Sequence, residues 1–467
     1  MKYTKVNKAI ITELSKIVGD ENVIIDTDAL ENYAHDETPL YHTLPDVVVK
    51  PSATAEVAAI MKLASEYVIP VTPRSGGTSL SAGAVPVHAG IVLSLERMNK
   101  IKEIDTKNLM AVVEPGIITE QLGIELAKHD LFFPPDPVSL DSCMIGGNVA
   151  ECAGGPRAMK YGVTKHYVLG LKAVLPTGGI IRIGGKLLKN VTGYNLLDLI
   201  VGSEGTLAIV TEATLKLLPL PKIVIALLVP FRCTEDAVGF TTDVLKVDCM
   251  PAAVEFLEGD VYRLAGQYLE RKLPFSEADA HIIVELDGND TELLKKQYDK
   301  IGDIALKHGA LDVFVAESVK DKEKIWEPRK KTSEALKTLT NPVAREDLVV
   351  PKDKIPVLLQ KLKECAAKYH ARLYAFGHLG DGNIHADFAY PKGKSVSDEH
   401  LEDMRKEVYE TTLELGGAIT AEHGVGLSKI RYMEMALSKT ELELMKQIKK
   451  LFDPQNILNP GKIFVSL

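Results

Sequence analysis

Apolar residues recur along this chain with two spacings, and each change of spacing marks an expected element boundary. Over the first twenty residues the spacing is helical, with Ile10, Leu14, Ile17 and Val18 on one face and Gly19 placed to stop the helix. Residues 46–51 then read as a buried strand, a helix carries Val57, Ile60, Met61 and Leu63, and Val68-Ile69-Pro70-Val71 reads as a second strand. That order predicts a βαβ unit. Further strands are expected at 90–95 and at 109–113, and the stretch 202–215 is expected to end as a strand. Beyond Pro219-Leu220-Pro221, longer charged helices alternate with strands at 223–229, 253–257, 280–286 and 311–316, so a domain boundary is placed there. The helix expected over 353–370 puts Ile355, Leu358, Leu359, Leu362, Cys365, Ala366 and Tyr369 on one stripe, which makes Cys365 a core residue. The pattern as a whole predicts an α+β protein whose second half is an open antiparallel sheet with helices on one side.

Composition narrows the function classes. A chain of 467 residues is long for one core, so two or three domains are expected. The net charge of −9 and the lack of a basic block argue against nucleic acid as the main partner. The longest apolar run, 223–230, is too short to span a bilayer, and the charged amino terminus has no apolar signal core, so a cytoplasmic protein without a transmembrane segment is expected. Five cysteines, Cys143, Cys152, Cys233, Cys249 and Cys365, form no C-x-x-C pair, which disfavours a zinc knuckle or a cysteine-ligated cluster.

Three small-residue stretches stand out. Pro73-Arg74-Ser75-Gly76-Gly77-Thr78-Ser79-Leu80-Ser81-Ala82-Gly83-Ala84 follows the expected strand and can point backbone N–H groups at a diphosphate, although taken alone it could equally be a surface loop. Pro134-Pro135-Asp136-Pro137-Val138-Ser139 and the glycine- and alanine-rich run 144–155 leave little side-chain bulk, so a flat ligand could lie against backbone. Residues 202–215 repeat the theme and then become a strand. In the second half, Asp381-Gly382 between strand-like runs is a two-residue hairpin signal that would pair 380 with 383, 379 with 384 and His378 with His385. The two imidazoles would stand with Cβ atoms about 5 Å apart, sharing a face with Asn383 and Asp387. Such a pair suits one divalent cation or, alternatively, two satisfied histidines lining a hairpin. Downstream, Gly416-Gly417-Ala418-Ile419-Thr420-Ala421-Glu422-His423-Gly424 sets a carboxylate beside an imidazole among small residues.

The pieces SGGTSLSAGA, PPDPVS, IGGNVAECAGG, Lys160-Tyr161-Gly162 and GSEGTLAIVTEATL resemble the FAD-binding half of the vanillyl-alcohol-oxidase-type flavoproteins, and within them the D-lactate dehydrogenase and glycolate oxidase D-subunit group. The resemblance covers nearly the whole chain. It implies a bipartite FAD-binding domain over 1–220, a substrate domain over 221–410 and a segment over 411–467 that returns to the flavin domain. The residues it implies for FAD are Ser75, Gly76, Gly77, Thr78, Ser79 and Gly83 near the pyrophosphate, then Pro137, Ser139, Met144, Gly146, Gly147, Asn148, Ala150, Gly154, Gly155, Glu204, Ile209 and Asn459. Relatives that attach FAD covalently use a histidine in these loops; Ser75-Gly76-Gly77-Thr78 has none, so FAD is expected to be non-covalent. Cys152 stands where relatives often have asparagine.

The same resemblance implies His378, His385 and Glu422 as ligands of one divalent ion, with zinc, iron(II) and manganese all compatible. It also implies His423 as base, Arg329 in Trp326-Glu327-Pro328-Arg329 as the clamp for a substrate carboxylate, and Arg345 as a second candidate. The implied activity is oxidation of a small D-2-hydroxy acid, with D-lactate the leading expectation and glycolate, D-2-hydroxyglutarate or a non-redox alkyl transfer as alternatives. Nothing here is similar to a haem, cluster or nicotinamide site, so an electron-accepting protein such as an electron-transferring flavoprotein is expected as partner.

Overall fold

The computed structural model describes residues 3–38, 41–248, 250–394 and 397–465; Cys249 lies outside them. The chain divides into two compact units. The first comprises residues 1–154, 163–220 and 422–467, and the second comprises 155–162 and 221–421.

In the first unit, the helix Lys8–Val18 starts on the Asn7 side chain, buries Ile10, Leu14 and Val18, and ends where Gly19 turns to φ 87°. It packs on a four-stranded sheet ordered Val23–Ile24, Val47–Val49, Ile91–Ser94, Val71–Arg74, whose last three strands are parallel neighbours. The expected strand at Val68 begins later. The helix Thr54–Tyr67 runs up to Val68, which caps it in the left-handed region, and the strand starts at Val71. Apolar character alone did not separate a buried helix end from a strand start. A second, antiparallel sheet runs Ile101–Asp105, Met110–Val113, Ile209–Lys216, Val168–Val174, Ile180–Gly184.

The second unit is built on seven antiparallel strands in the order Phe314–Ala316, Ile223–Phe231, Ala280–Gly288, Ala253–Glu258, Arg372–His378, Asn383–Tyr390, Asn341–Val349. Helices cover both sides of this sheet, not one. Gly259–Tyr268, Val319–Lys330 and Thr332–Leu339 pack on Ala226, Leu228, Leu257, Ile283, Tyr374 and Phe376. Thr234–Val244, Thr291–Lys307, Ile355–Lys368 and Asp398–Glu414 pack on the opposite side, where Phe240 meets Phe231 and Arg405 meets Glu346. The near-continuous burial of strands such as Ala253–Glu258 is the local mark of a two-sided sheet. Cys365 is buried in its helix stripe, as its spacing predicts.

Candidate active site

Strand alternation sets the site in the second unit. The registers place Glu255, Glu285, Arg345, Asp347, His378, Asn383, His385 and Asp387 on one face of the sheet, the face whose other end is the apolar cluster under Gly259–Tyr268. The hairpin register differs from the two-residue expectation. His378 pairs with Asn383 and His385 with Phe376, so residues 379–382 form the connection, folded back by N–H bonds from Asp381 and Gly382 to the His378 carbonyl. The shift moves each partner by two positions and so keeps both histidines on one face, as diagonal neighbours with ring centroids 5.2 Å apart.

Each imidazole meets a buried carboxylate. His378 Nδ1 is hydrogen-bonded to Glu255 Oε1, and His385 Nδ1 lies 3.6 Å from Asp347 Oδ1. Glu255 and Asp347 are fully buried. The Glu255 bond would direct His378 to coordinate through Nε2, the arrangement found around metal-bound histidines, and two imidazoles beside buried carboxylates fit a divalent ion. Asp347 is further fixed by Asn383 Nδ2 at 2.8 Å, by the Thr420 hydroxyl at 2.8 Å and by the Ala421 N–H at 2.8 Å. Glu422 and His423 follow Ala421 directly in the chain, with 3.9 Å between Glu422 Oε1 and His423 Nε2.

Two arginines complete this face. Arg329, 4% exposed, donates from Nε to Glu255 Oε2 at 2.8 Å and lies over the Phe376 ring at 4.9 Å. Arg345 donates from Nε to Asp387 Oδ2 at 3.0 Å. One terminal nitrogen of each guanidinium is buried with no hydrogen-bond partner among the described residues. A buried, unpaired charged donor is costly unless a ligand pairs it, and a guanidinium edge suits a carboxylate. Beside them the segment 155–162 reaches the sheet through Arg157 to Glu285 at 3.0 Å and through Lys160 and Tyr161 to Asp287.

The implied FAD residues fall into two groups in the first unit. Ser75, Gly76, Gly77, Thr78 and Ser79 leave the strand Val71–Arg74 half-buried. Gly77, at φ 69°, has no room for a Cβ, which would lie 2.1 Å from the Arg74 guanidinium. Within residues 144–155, Met144 caps the helix Ile145–Glu151, and Cys152 ends it in the left-handed region at φ 56°. Asparagine, the residue expected there from the resemblance, adopts that conformation more readily than cysteine. Gly146 is packed against Pro115 and Ser75, whereas a Cβ on Gly147 would meet only Ser75 Cβ at 3.9 Å, so Gly147 is the bare surface of this helix. Gly147 and the half-buried glycine loop fit a cofactor laid against backbone.

Several of the remaining residues serve the protein itself. Asn148 donates to Thr119 at 2.8 Å, Ala150 accepts from the Glu204 N–H, and the Ile209 side chain is in the core. The Ser139 carbonyl accepts from Ser142 and Cys143, beside the half-buried Pro137. Glu204 accepts the N–H groups of Val425 and Gly426 at 2.8 and 2.6 Å, and the Asn459 amide is spent on the Gly83 and Glu204 carbonyls. Gly154 is packed against Glu422, and Gly155 begins the segment that joins the second unit. Glu151 lies beside Gly83; burial and then the Glu204 charge push its carboxyl well above the usual carboxylate range.

Family comparisons agree with both halves. Residues 45–184 match the model of an FAD binding domain, and residues 220–463 match that of the C-terminal domain of FAD linked oxidases. The chain belongs to the FAD-linked oxidase family. It is 40% identical to the glycolate oxidase subunit GlcD of Bacillus subtilis, over 98% of this chain and 97% of that protein. It is 37% identical to the D-lactate dehydrogenase of Anaerostipes hadrus, over 100% and 99%. The fold is shared with 4-ethylphenol oxidase from Gulosibacter chungangensis, with a TM-score of 0.81 at 20% identity, covering 98% of this chain and 96% of that one. This FAD-linked oxidoreductase has, among its described residues, no helix long and apolar enough to cross a membrane.

Sequence reasoning missed Glu255, Glu285 and Asp347. The signal for Asp347 was present: Arg345-Glu346-Asp347 puts three charges inside an otherwise apolar strand, which burial permits only with partners.

Proposed function

We propose that this protein oxidises a small D-2-hydroxy acid, with D-lactate to pyruvate the leading case, and that His378, His385 and Glu422 hold a divalent ion. The observation that carries the reading is the sheet face on which His378 and His385, each beside a buried carboxylate, share space with two guanidinium ends that have no hydrogen-bond partner among the described residues. Arg329 holds the substrate carboxylate through the free edge of its guanidinium, with Arg345 as the second cation. His423 accepts the hydroxyl proton on an imidazole nitrogen as the C2 hydrogen leaves. A divalent ion, when bound, lowers the pKa of the substrate hydroxyl. Ser75–Ser79 and the bare face at Gly147 would hold FAD, which would supply the hydride acceptor. The ion itself can be zinc, iron(II) or manganese, since two nitrogens and a carboxylate suit all three.

Glycolate is the second reading, favoured by the similarity to a glycolate oxidase subunit. Anaerobic mixing of the holoenzyme with D-lactate, L-lactate, glycolate and D-2-hydroxyglutarate separates them. Bleaching of the flavin fastest with D-lactate supports the first reading, and bleaching by glycolate alone replaces it. The electrons then pass to a protein partner such as an electron-transferring flavoprotein. Co-purification with a two-subunit flavoprotein supports this, and fast direct reduction of a quinone analogue counts against it.

A further inference from the structure

Glu255 joins two groups that the proposed chemistry uses separately. It sits on the strand Ala253–Glu258, in direct register with His378 on the neighbouring strand, and is fully buried. Its Oε1 accepts from His378 Nδ1, and its Oε2 accepts from Arg329 Nε at 2.8 Å. The Phe376 ring, two residues before His378 on the same face, supports the guanidinium from beneath at 4.9 Å. One carboxylate therefore fixes the tautomer and angle of an imidazole and the plane of a guanidinium at once.

We infer that Glu255 is a positioning residue that couples the divalent-ion site to the substrate-carboxylate clamp, holding His378 Nε2 and the free guanidinium edge of Arg329 in one fixed relation. The inference rests on the reading of His378 as a ligand and Arg329 as the clamp. A carboxylate is the side chain that serves both partners, because each presents an N–H donor to it. Glutamine presents one acceptor and one donor. It can serve His378 and face Arg329 Nε–H with its own NH2, or serve Arg329 and turn a donor toward His378 Nδ1, which favours the tautomer protonated on Nε2. Either way one partner is misplaced. Removing Arg329 leaves the Glu255 carboxylate without its cation, so the effect reaches His378, which Arg329 does not serve directly.

The test uses FAD-loaded enzyme reconstituted with Mn(II), with ion affinity measured by competition against a chelator and D-lactate kinetics read as kcat and KM. Glu255→Gln is expected to lower Mn(II) affinity about 10–100-fold and to raise KM for D-lactate at least about tenfold, with FAD content unchanged. Arg329→Ala is expected to lower Mn(II) affinity as well, and it keeps the inference testable if Glu255→Gln does not fold. Glu346→Gln, on the opposite face of the same sheet, is the control for a merely structural buried carboxylate and should leave both readouts at wild-type values. A Glu255→Gln protein altered in only one readout, or an Arg329→Ala protein with wild-type Mn(II) affinity, overturns the coupling while leaving the proposed function standing. Wild-type enzyme that binds no divalent ion overturns both.

Discussion

Neighbouring residues of one strand meet opposite fates on the two faces of the seven-stranded sheet. Arg345 and Asp347 point to one face and Glu346, between them, to the other. Glu346 is closed off: Arg405 donates to one oxygen at 2.9 Å, the Tyr409 hydroxyl donates to the other, and the surrounding strand positions are apolar. On the Arg345 face Glu255 and Asp347 are as deeply buried, yet Arg329 and Arg345 each keep a terminal nitrogen without a hydrogen-bond partner among the described residues. Burial and charge therefore do not distinguish a structural carboxylate from one that serves a site. The pairing of the cations around it does, because a folded core satisfies its polar groups and a binding face leaves donors for its ligand.

The comparison breaks most visibly at the histidines. Replacing His378 or His385 by alanine is expected to abolish hydroxy-acid turnover while FAD stays bound, measured by steady-state assay and flavin absorbance. His423→Ala should lower kcat by about 10²–10⁴ with FAD retained, the range for loss of a general base. Arg345→Ala should cost about 2–5 kcal/mol in kcat/KM, appearing mainly in KM, because it removes a desolvated guanidinium from Asp387 as well as from substrate.

His281 sharpens the comparison at the other end of the same face. It stacks on Tyr262 at 3.8 Å beneath the helix Gly259–Tyr268, and burial lowers its pKa from 6.5 to about 4. Folding there favours the neutral ring, so the contribution is present above pH 6.5, is lost as pH falls toward 4, and amounts to about 3 kcal/mol. Denaturant unfolding between pH 7 and 4 should show this slope in the wild type, and His281→Phe should reduce it. The smallest effect belongs to the closed face: Tyr409→Phe should cost about 1.5–3 kcal/mol of stability with KM unchanged. A change in KM there would remove the distinction between the faces.

Much of this arrangement was legible before the fold was known, for identifiable reasons. Strands at 223–229, 253–257 and 280–286 announced themselves through apolar runs bounded by turns, and the small-residue loops carried the family resemblance. The hairpin was legible in its facing but not in its register, since Asp-Gly signals a tight turn and the chain uses residues 379–382 instead. Glu255 was not legible. Nothing local in Ala253-Val254-Glu255-Phe256 marks the glutamate, and its partners Arg329 and His378 lie 74 and 123 residues away, joined to it only by sheet order. The helix Ile145–Glu151 was hidden by its glycines, which weaken helix propensity and here serve close packing at Gly146 and a bare face at Gly147.

Ion stoichiometry tests the central claim most directly. The FAD-loaded wild type should hold one divalent ion per chain by elemental analysis after exhaustive dialysis, and the His378→Ala/His385→Ala double variant should hold none while retaining its flavin. A double variant that keeps a full complement of the ion, or a wild type stripped of it that oxidises D-lactate at an undiminished rate, would contradict the account.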